Sequence, residues 1–184
     1  EFKTSAFIHA DKNATEEQSL VLARVIASFM NTEGGILYIG VNDKGYLTGL
    51  DQELRFAHND SDVYLRSVNQ NVIRLLGKKE DRDRYHAYIR CRLYEYEDGR
   101  LVLAFRVAPI NEVVEVKGEV YTRSASSNLI KPVGNVADFV KLRHRQKLDS
   151  VPKMPEFPAY FSAERNEYIF DKRSVVPEMT AVQE

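Results

Sequence analysis

The chain has 184 residues, room for one domain with a substantial core. Its 43% hydrophobic and 29% charged residues match an ordinary globular protein, and no apolar run approaches the roughly 18 residues of a membrane span. With 26 basic and 27 acidic side chains the formal charge is −1, which argues against a strongly basic polyanion binder, and the single cysteine excludes an intrachain disulfide.

In chain order, Glu1-Phe2-Lys3 opens the sequence. Thr15-Glu16-Glu17-Gln18 reads as a capping box, with Thr15 as helix cap and Gln18 reaching back. Leu20, Val21, Ala23, Val25, Ile26, Phe29 and Met30 follow at near-helical spacing. They are too many for a one-sided surface helix, so this helix is expected against a sheet and to end at Asn31-Thr32. Gly34-Gly35 supplies a left-handed exit. Ile36 to Val41 is apolar on both sides and predicts a central strand. Asn42-Asp43-Lys44-Gly45 is a tight turn, and Tyr46 to Leu50 is expected to return as a second strand. A polar loop is expected over Asp51 to Ser61, and a helix over Asp62 to Leu76, stopped by Gly77.

Tyr85 to Tyr94 alternates as a strand. Tyr85, Ala87, Ile89, Cys91 and Leu93 share one face, and His86, Tyr88, Arg90, Arg92 and Tyr94 the other. Glu97-Asp98-Gly99 turns the chain into a partner strand, Leu101 to Val107. Val113 to Val116 and Val120 to Arg123 pair about Lys117-Gly118. Asn135 caps a helix through Gln146, with Val136, Phe139, Val140 and Leu142 inward. Residues 149–184 change character: Pro152, Pro155 and Pro158 oppose regular helix, while Tyr160, Phe161, Tyr168 and Phe170 are too aromatic for a plain linker. Two units follow, a domain over 1–148 and a tail over 149–184 that packs on the domain or on a partner chain. The fold class is α+β: a mixed, mostly antiparallel sheet with about three packed helices.

Several chemistries are absent. There is no G-x-x-x-x-G-K-[ST] phosphate loop, no Cys/His cluster for zinc, and no assignable Ser/His/Asp arrangement. Cys91 and His86 fall on opposite strand faces, which excludes a nucleophile–base pair. What remains is carboxylates and bases. Glu1 and Asp43 are hard oxygen ligands suited to Mg²⁺ or Mn²⁺, or else a terminal residue and a turn former. Arg90 and Arg92, beside Tyr88 and Tyr94, suit a phosphate backbone with stacked bases, or else a solvated sheet face. Arg123-Ser124-Ala125-Ser126-Ser127-Asn128 is a polar loop after a strand, able to donate to a phosphate or to serve as an ordinary turn. Residues 149–184 hold seven acids and four bases, which leaves 22 bases and 20 acids in residues 1–148, a formal +2.

The order and spacing of three pieces resemble the Schlafen-type, Alba-like (AlbA_2) nucleic-acid-binding domain. They are Glu1-Phe2-Lys3, Ala27-Ser28-Phe29-Met30-Asn31-Thr32-Glu33-Gly34-Gly35, and Gly40-Val41-Asn42-Asp43. A fourth, Val120-Tyr121-Thr122-Arg123-Ser124-Ala125-Ser126-Ser127, is similar to that family's Tyr-x-Arg-x-Gly-Ser-Ser segment, with Ala125 where glycine is usual. The resemblance spans roughly Glu1 to Gln146. It implies a DNA- or RNA-binding domain of a transcriptional regulator or defence protein, gripping phosphates through Lys3, Arg90, Arg92, Arg123 and Lys131 without a cofactor. It leaves open a metal-dependent endoribonuclease in which Glu1 and Asp43 belong to a three-carboxylate Mg²⁺ or Mn²⁺ site, the third acid preceding Glu1. A non-catalytic assembly module is the third reading. Starting without Met and inside a motif, the chain is expected to be a piece of a longer one. It is further expected to be cytoplasmic, free of membrane association, and a homodimer, since Schlafen-type nucleases build a trough from two similar lobes.

Overall fold

The computed structural model describes residues 1–6, 12–124, 127–134, 136–145, 160–162 and 167–169. Strand β1 (Phe2–Lys3) precedes helix α1 (Lys12–Met30) and strand β2 (Gly35–Ile39). Two short helices, α2 (Asp51–Leu54) and a 3₁₀ turn (Arg55–Ala57), lead to α3 (Ser61–Ile73). A 3₁₀ turn (Lys79–Asp81) and α4 (Arg82–Tyr85) precede β3 (Ile89–Glu95) and β4 (Leu101–Val107). Then come β5 (Glu115–Val116), β6 (Glu119–Ser124), β7 (Ser127–Pro132) and α5 (Val136–Arg145). A hairpin, β8 (Tyr160–Ser162) with β9 (Glu167–Ile169), lies in the tail.

The main sheet has the order β1-β2-β4-β3. β1 runs parallel to β2, and the other pairs are antiparallel. A second sheet has the order β5-β6-β7. The fold is α+β with a mixed, mostly antiparallel sheet.

Helix α1 explains its own composition. Leu22, Ala23, Val25, Ile26, Ala27, Phe29 and Met30 are all buried, because the helix touches the main sheet, the β5-β6-β7 sheet and α3 at once. Its end is tied down by Asn31, itself buried. The Asn31 amide donates to Val114 O (2.8 Å) and Tyr121 O (3.0 Å), and its Oδ1 accepts from Val114 N (2.9 Å). One side chain thus joins the helix to the second sheet.

β2 is interior in the sheet, and its apolar run fits burial on both faces. Leu37 and Ile39 join the helix-side core, and Ile36 and Tyr38 a second cluster. That second cluster also holds Phe2, Val41, Leu47, Tyr94, Tyr96, Val102 and Ala104. The Lys117-Gly118 turn has positive φ at both residues (52° and 82°), the twist-matched hairpin geometry.

Five local expectations are corrected. Thr15 lies inside α1, where its carbonyl accepts from Ser19 Oγ, and Gln18 Nε2 donates to Ser5 O at 2.9 Å rather than to a cap. Tyr46 to Leu50 is not a strand; it forms isolated bridges, among them Val41 with Leu47. The polar stretch from Asp51 folds into α2 and the 3₁₀ turn, because Leu54 and Ala57 supply an inward side. β3 begins at Ile89, since Arg82–Tyr85 is helical and Tyr85 buries from there. Val136 is 38% exposed, while Phe139 and Val140 are half-buried. Asn135 and the side chain of Leu142 lie outside the described residues.

Candidate nucleic-acid interface

The first basic group gathers on edge strand β1. Glu1 and Lys3 stand two residues apart, on one side of the strand. Lys3 Nζ donates to Glu1 Oε1 at 3.0 Å, and the Arg123 guanidinium donates to Glu1 Oε2 at 2.9 Å. Arg123 reaches Glu1 from β6 by lying over the Phe29 ring, 4.8 Å from its centroid. Further up α1, Arg24 lies 5.2 Å over the ring of Tyr121. Burial pushes the Glu1 carboxyl up, but the Lys3 hydrogen bond, the charge of the chain's own amino group and the Arg123 guanidinium outweigh it and hold the carboxyl below its ordinary value. Glu1 is therefore ionised at neutral pH with both oxygens engaged.

Asp43 is elsewhere. The parallel register sets Phe2 level with Tyr38, so Glu1 is level with Leu37, whereas Asp43 is exposed in the turn beyond the C-terminal end of β2. Asn42 holds that turn: its Oδ1 accepts from Lys44 N and Tyr46 N, both at 3.0 Å. Among the described residues no three His, Cys, Asp or Glu side chains converge. Glu1 is thus engaged by Lys3 and Arg123, with Asp43 farther along the sheet in the turn after β2.

The second basic group lies across the sheet on edge strand β3. Arg90 is directly opposite Arg106 of β4, and Arg92 is opposite Ala104. All three arginines share the face that carries Ile36 and Tyr38, by the same register. Arg90 is exposed, and Arg92 and Arg106 are half-buried. Among the described residues neither Arg90 nor Arg92 forms a salt bridge. The tyrosines expected beside them are not available for stacking. Tyr94 is buried in the second cluster, and Tyr88 precedes the strand and packs on the helix-side core. Burial pushes the Tyr38 and Tyr94 hydroxyls up, so both are neutral at physiological pH.

The structure thus brings Glu1, Lys3 and Arg123 together, and Arg90 with Arg92, as two separate groups. Lys131 is in register with Thr122 on β7, and its side chain lies outside the described residues. Sequence reasoning missed Arg106. It is the one charged residue in Leu101–Val107, a signal that gains meaning only from the register opposite Arg90. Phe29 was read as an apolar helix residue within the Ala27–Gly35 piece, and Arg24 was not singled out.

Comparison with known proteins follows the same outline. The crystal structure of the DIP2311 protein from Corynebacterium diphtheriae is similar, with TM-score 0.53 and 20% identity, covering 88% of this chain. At that identity the likeness concerns the fold alone, and this chain spans 29% of the length of that one. No curated protein matches. The family model described as Schlafen, AlbA_2 matches residues 1–131, which contain Glu1, Lys3, Asp43, Arg90, Arg92, Arg123 and Lys131. With most of its length inside that match, the chain belongs to the Schlafen, AlbA_2 family.

Proposed function

We propose that this domain binds nucleic acid, DNA or RNA, mainly through its phosphate backbone. The observation that carries the reading is the exposed Arg90 with Arg92 two residues on along the same strand face, neither of them in a salt bridge among the described residues. A line of phosphates offers Arg90 and Arg92 opposite charge, and releases counterions when bound. Family membership supports the same reading. Lys3 and Arg123 contribute as a second, weaker contact, since Glu1 already engages both.

Fluorescence anisotropy with a labelled duplex and a labelled structured RNA, at two salt concentrations, tests it. Affinity is expected to fall steeply with salt, with a log–log slope of about −0.9 per phosphate neutralised on duplex DNA. The double variant Arg90→Glu/Arg92→Glu is expected to weaken every sequence alike and to flatten that slope. Unchanged affinity and slope would remove the sheet face from the interface. No binding at low salt to either ligand would favour an assembly module instead.

A further inference from the structure

We propose that Phe56 is a stacking platform for an unpaired nucleobase. The inference rests on the nucleic-acid-binding reading above. Phe56 sits in the 3₁₀ turn Arg55–Ala57 with 51% of its surface exposed. The turn around it is braced. Asn59 N donates to Leu54 O at 2.8 Å, Asp60 N donates to Ala57 O at 2.9 Å, and Ala57 is buried. His58 and Asn59 follow with φ of 57° and 58°, left-handed backbone that non-glycine residues adopt at a cost. A braced, strained turn therefore holds a large ring in water.

The turn is also tied to the first basic group. Glu53, buried one helical turn before Phe56, accepts from Ala6 N at 2.7 Å and from the Tyr64 hydroxyl. Ala6 follows Lys3 within about 10 Å of backbone. The segment that follows Lys3 is thus anchored to the helix that leads into the Phe56 turn.

The chemistry of the surroundings selects the occupant. Stable protein interfaces bury about 800 Å² per partner around an apolar centre. Among the described residues Phe56 has no such surround: Gln52, Arg55, His58 and Asn59 beside it are exposed and polar, and the other exposed large hydrophobic among them, Val136, lies on α5. A nucleobase needs one ring face, and donors at its edge. In single strands the bases are free to turn out, and in a duplex they are not. The exposed or half-buried acids nearby are Asp51, Asp60 and Asp62, beside the buried Glu53, and Asp60 caps α3 through Asp62 N and Val63 N. The contact is apolar, so its contribution is insensitive to salt.

The chain contains no tryptophan, so Phe56→Trp installs a single fluorescent reporter at the site. Labelled oligothymidine, oligouridine and a blunt duplex are titrated into the full chain, and anisotropy of the label reports binding independently of the tryptophan. The expected result is tryptophan quenching by the single strands and not by the duplex. Phe56→Ala is expected to weaken single-strand binding ~5- to 150-fold, equally at both salt concentrations, and to leave duplex binding unchanged. Binding by anisotropy without quenching, with Phe56→Ala at full affinity, would overturn the stacking role while leaving the phosphate reading intact. Equal quenching by the duplex would also overturn it. No binding of any ligand at low salt would remove both. Circular dichroism of the variants checks that the exposed substitution leaves the fold in place.

Discussion

At the residue scale, the side chains that hold this domain are polar ones in unexpected roles. Asn31 satisfies three buried backbone groups with one amide. Asn31→Leu strands them, at about 1–3 kcal/mol for each buried group left without a partner. A loss of roughly 3 kcal/mol or more is expected in urea unfolding, with the m-value unchanged. The turn at 42–45 gives the opposite contrast. Asp43→Ala is expected to cost within about 0.5 kcal/mol, as for an exposed surface position. Asn42→Ala removes the acceptor of two backbone N–H groups and is expected to cost about 1 kcal/mol. Glu1 adds a pH dependence. Its carboxyl is held below the ordinary value of 4.5, so it stabilises the fold above that value and the contribution is lost as pH falls through the folded-state value. Glu1→Gln is expected to flatten the stability profile on the acid side of pH 4.5, and an unaltered profile would deny the Lys3 and Arg123 contacts.

At the element scale, the α1-to-β2 connection shows two adjacent glycines required for different reasons. Gly34 has φ of 81°, and a Cβ there would come within 2.6 Å of Val107 O. Gly35 does not have positive φ; a Cβ there would come within 2.3 Å of the Phe29 ring. The left-handed exit read over both glycines thus belongs to Gly34, and Gly35 is a matter of packing. Gly34→Ala and Gly35→Ala are both expected to lower Tm clearly. Phe29→Leu opens space beside residue 35, so Gly35→Ala/Phe29→Leu is expected to recover part of its loss relative to Phe29→Leu alone, whereas Gly34→Ala gains nothing from it. Thermal melts of the three single variants and the two double variants decide the assignment.

At the scale of the whole molecule, the main sheet buries both faces, yet its β3 edge keeps two arginines without salt bridges among the described residues. No helix among the described residues is long and apolar enough to cross a membrane. Because Glu1 and Asp43 do not converge, adding Mn²⁺ to this chain is expected to leave Tm unchanged, since a metal that binds only the folded state raises it. A twofold pair of chains would double the basic surface, and closed twofold dimers are the commonest assemblies. Light scattering is expected to give twice the 21.1 kDa chain mass at high micromolar concentration, and a monomer there would end the idea.

Much of the fold was legible where short-range rules suffice. The apolar run of β2, the Lys117-Gly118 turn, the Leu101 to Val107 strand and the α1 face follow from side-chain period and backbone preference alone. So did the family, because residue type and order carry its pattern. Local pattern failed where burial came from distant segments. The Asp51 stretch looked like a loop because its inward residues are few, and Tyr94 looked available for stacking because alternation cannot tell which face is covered. Tertiary structure alone set Arg90 against Arg106, joined Glu1 to Arg123, and kept Glu1 apart from Asp43. Strand register and helix docking decide those relations, and both depend on contacts between residues far apart along the chain.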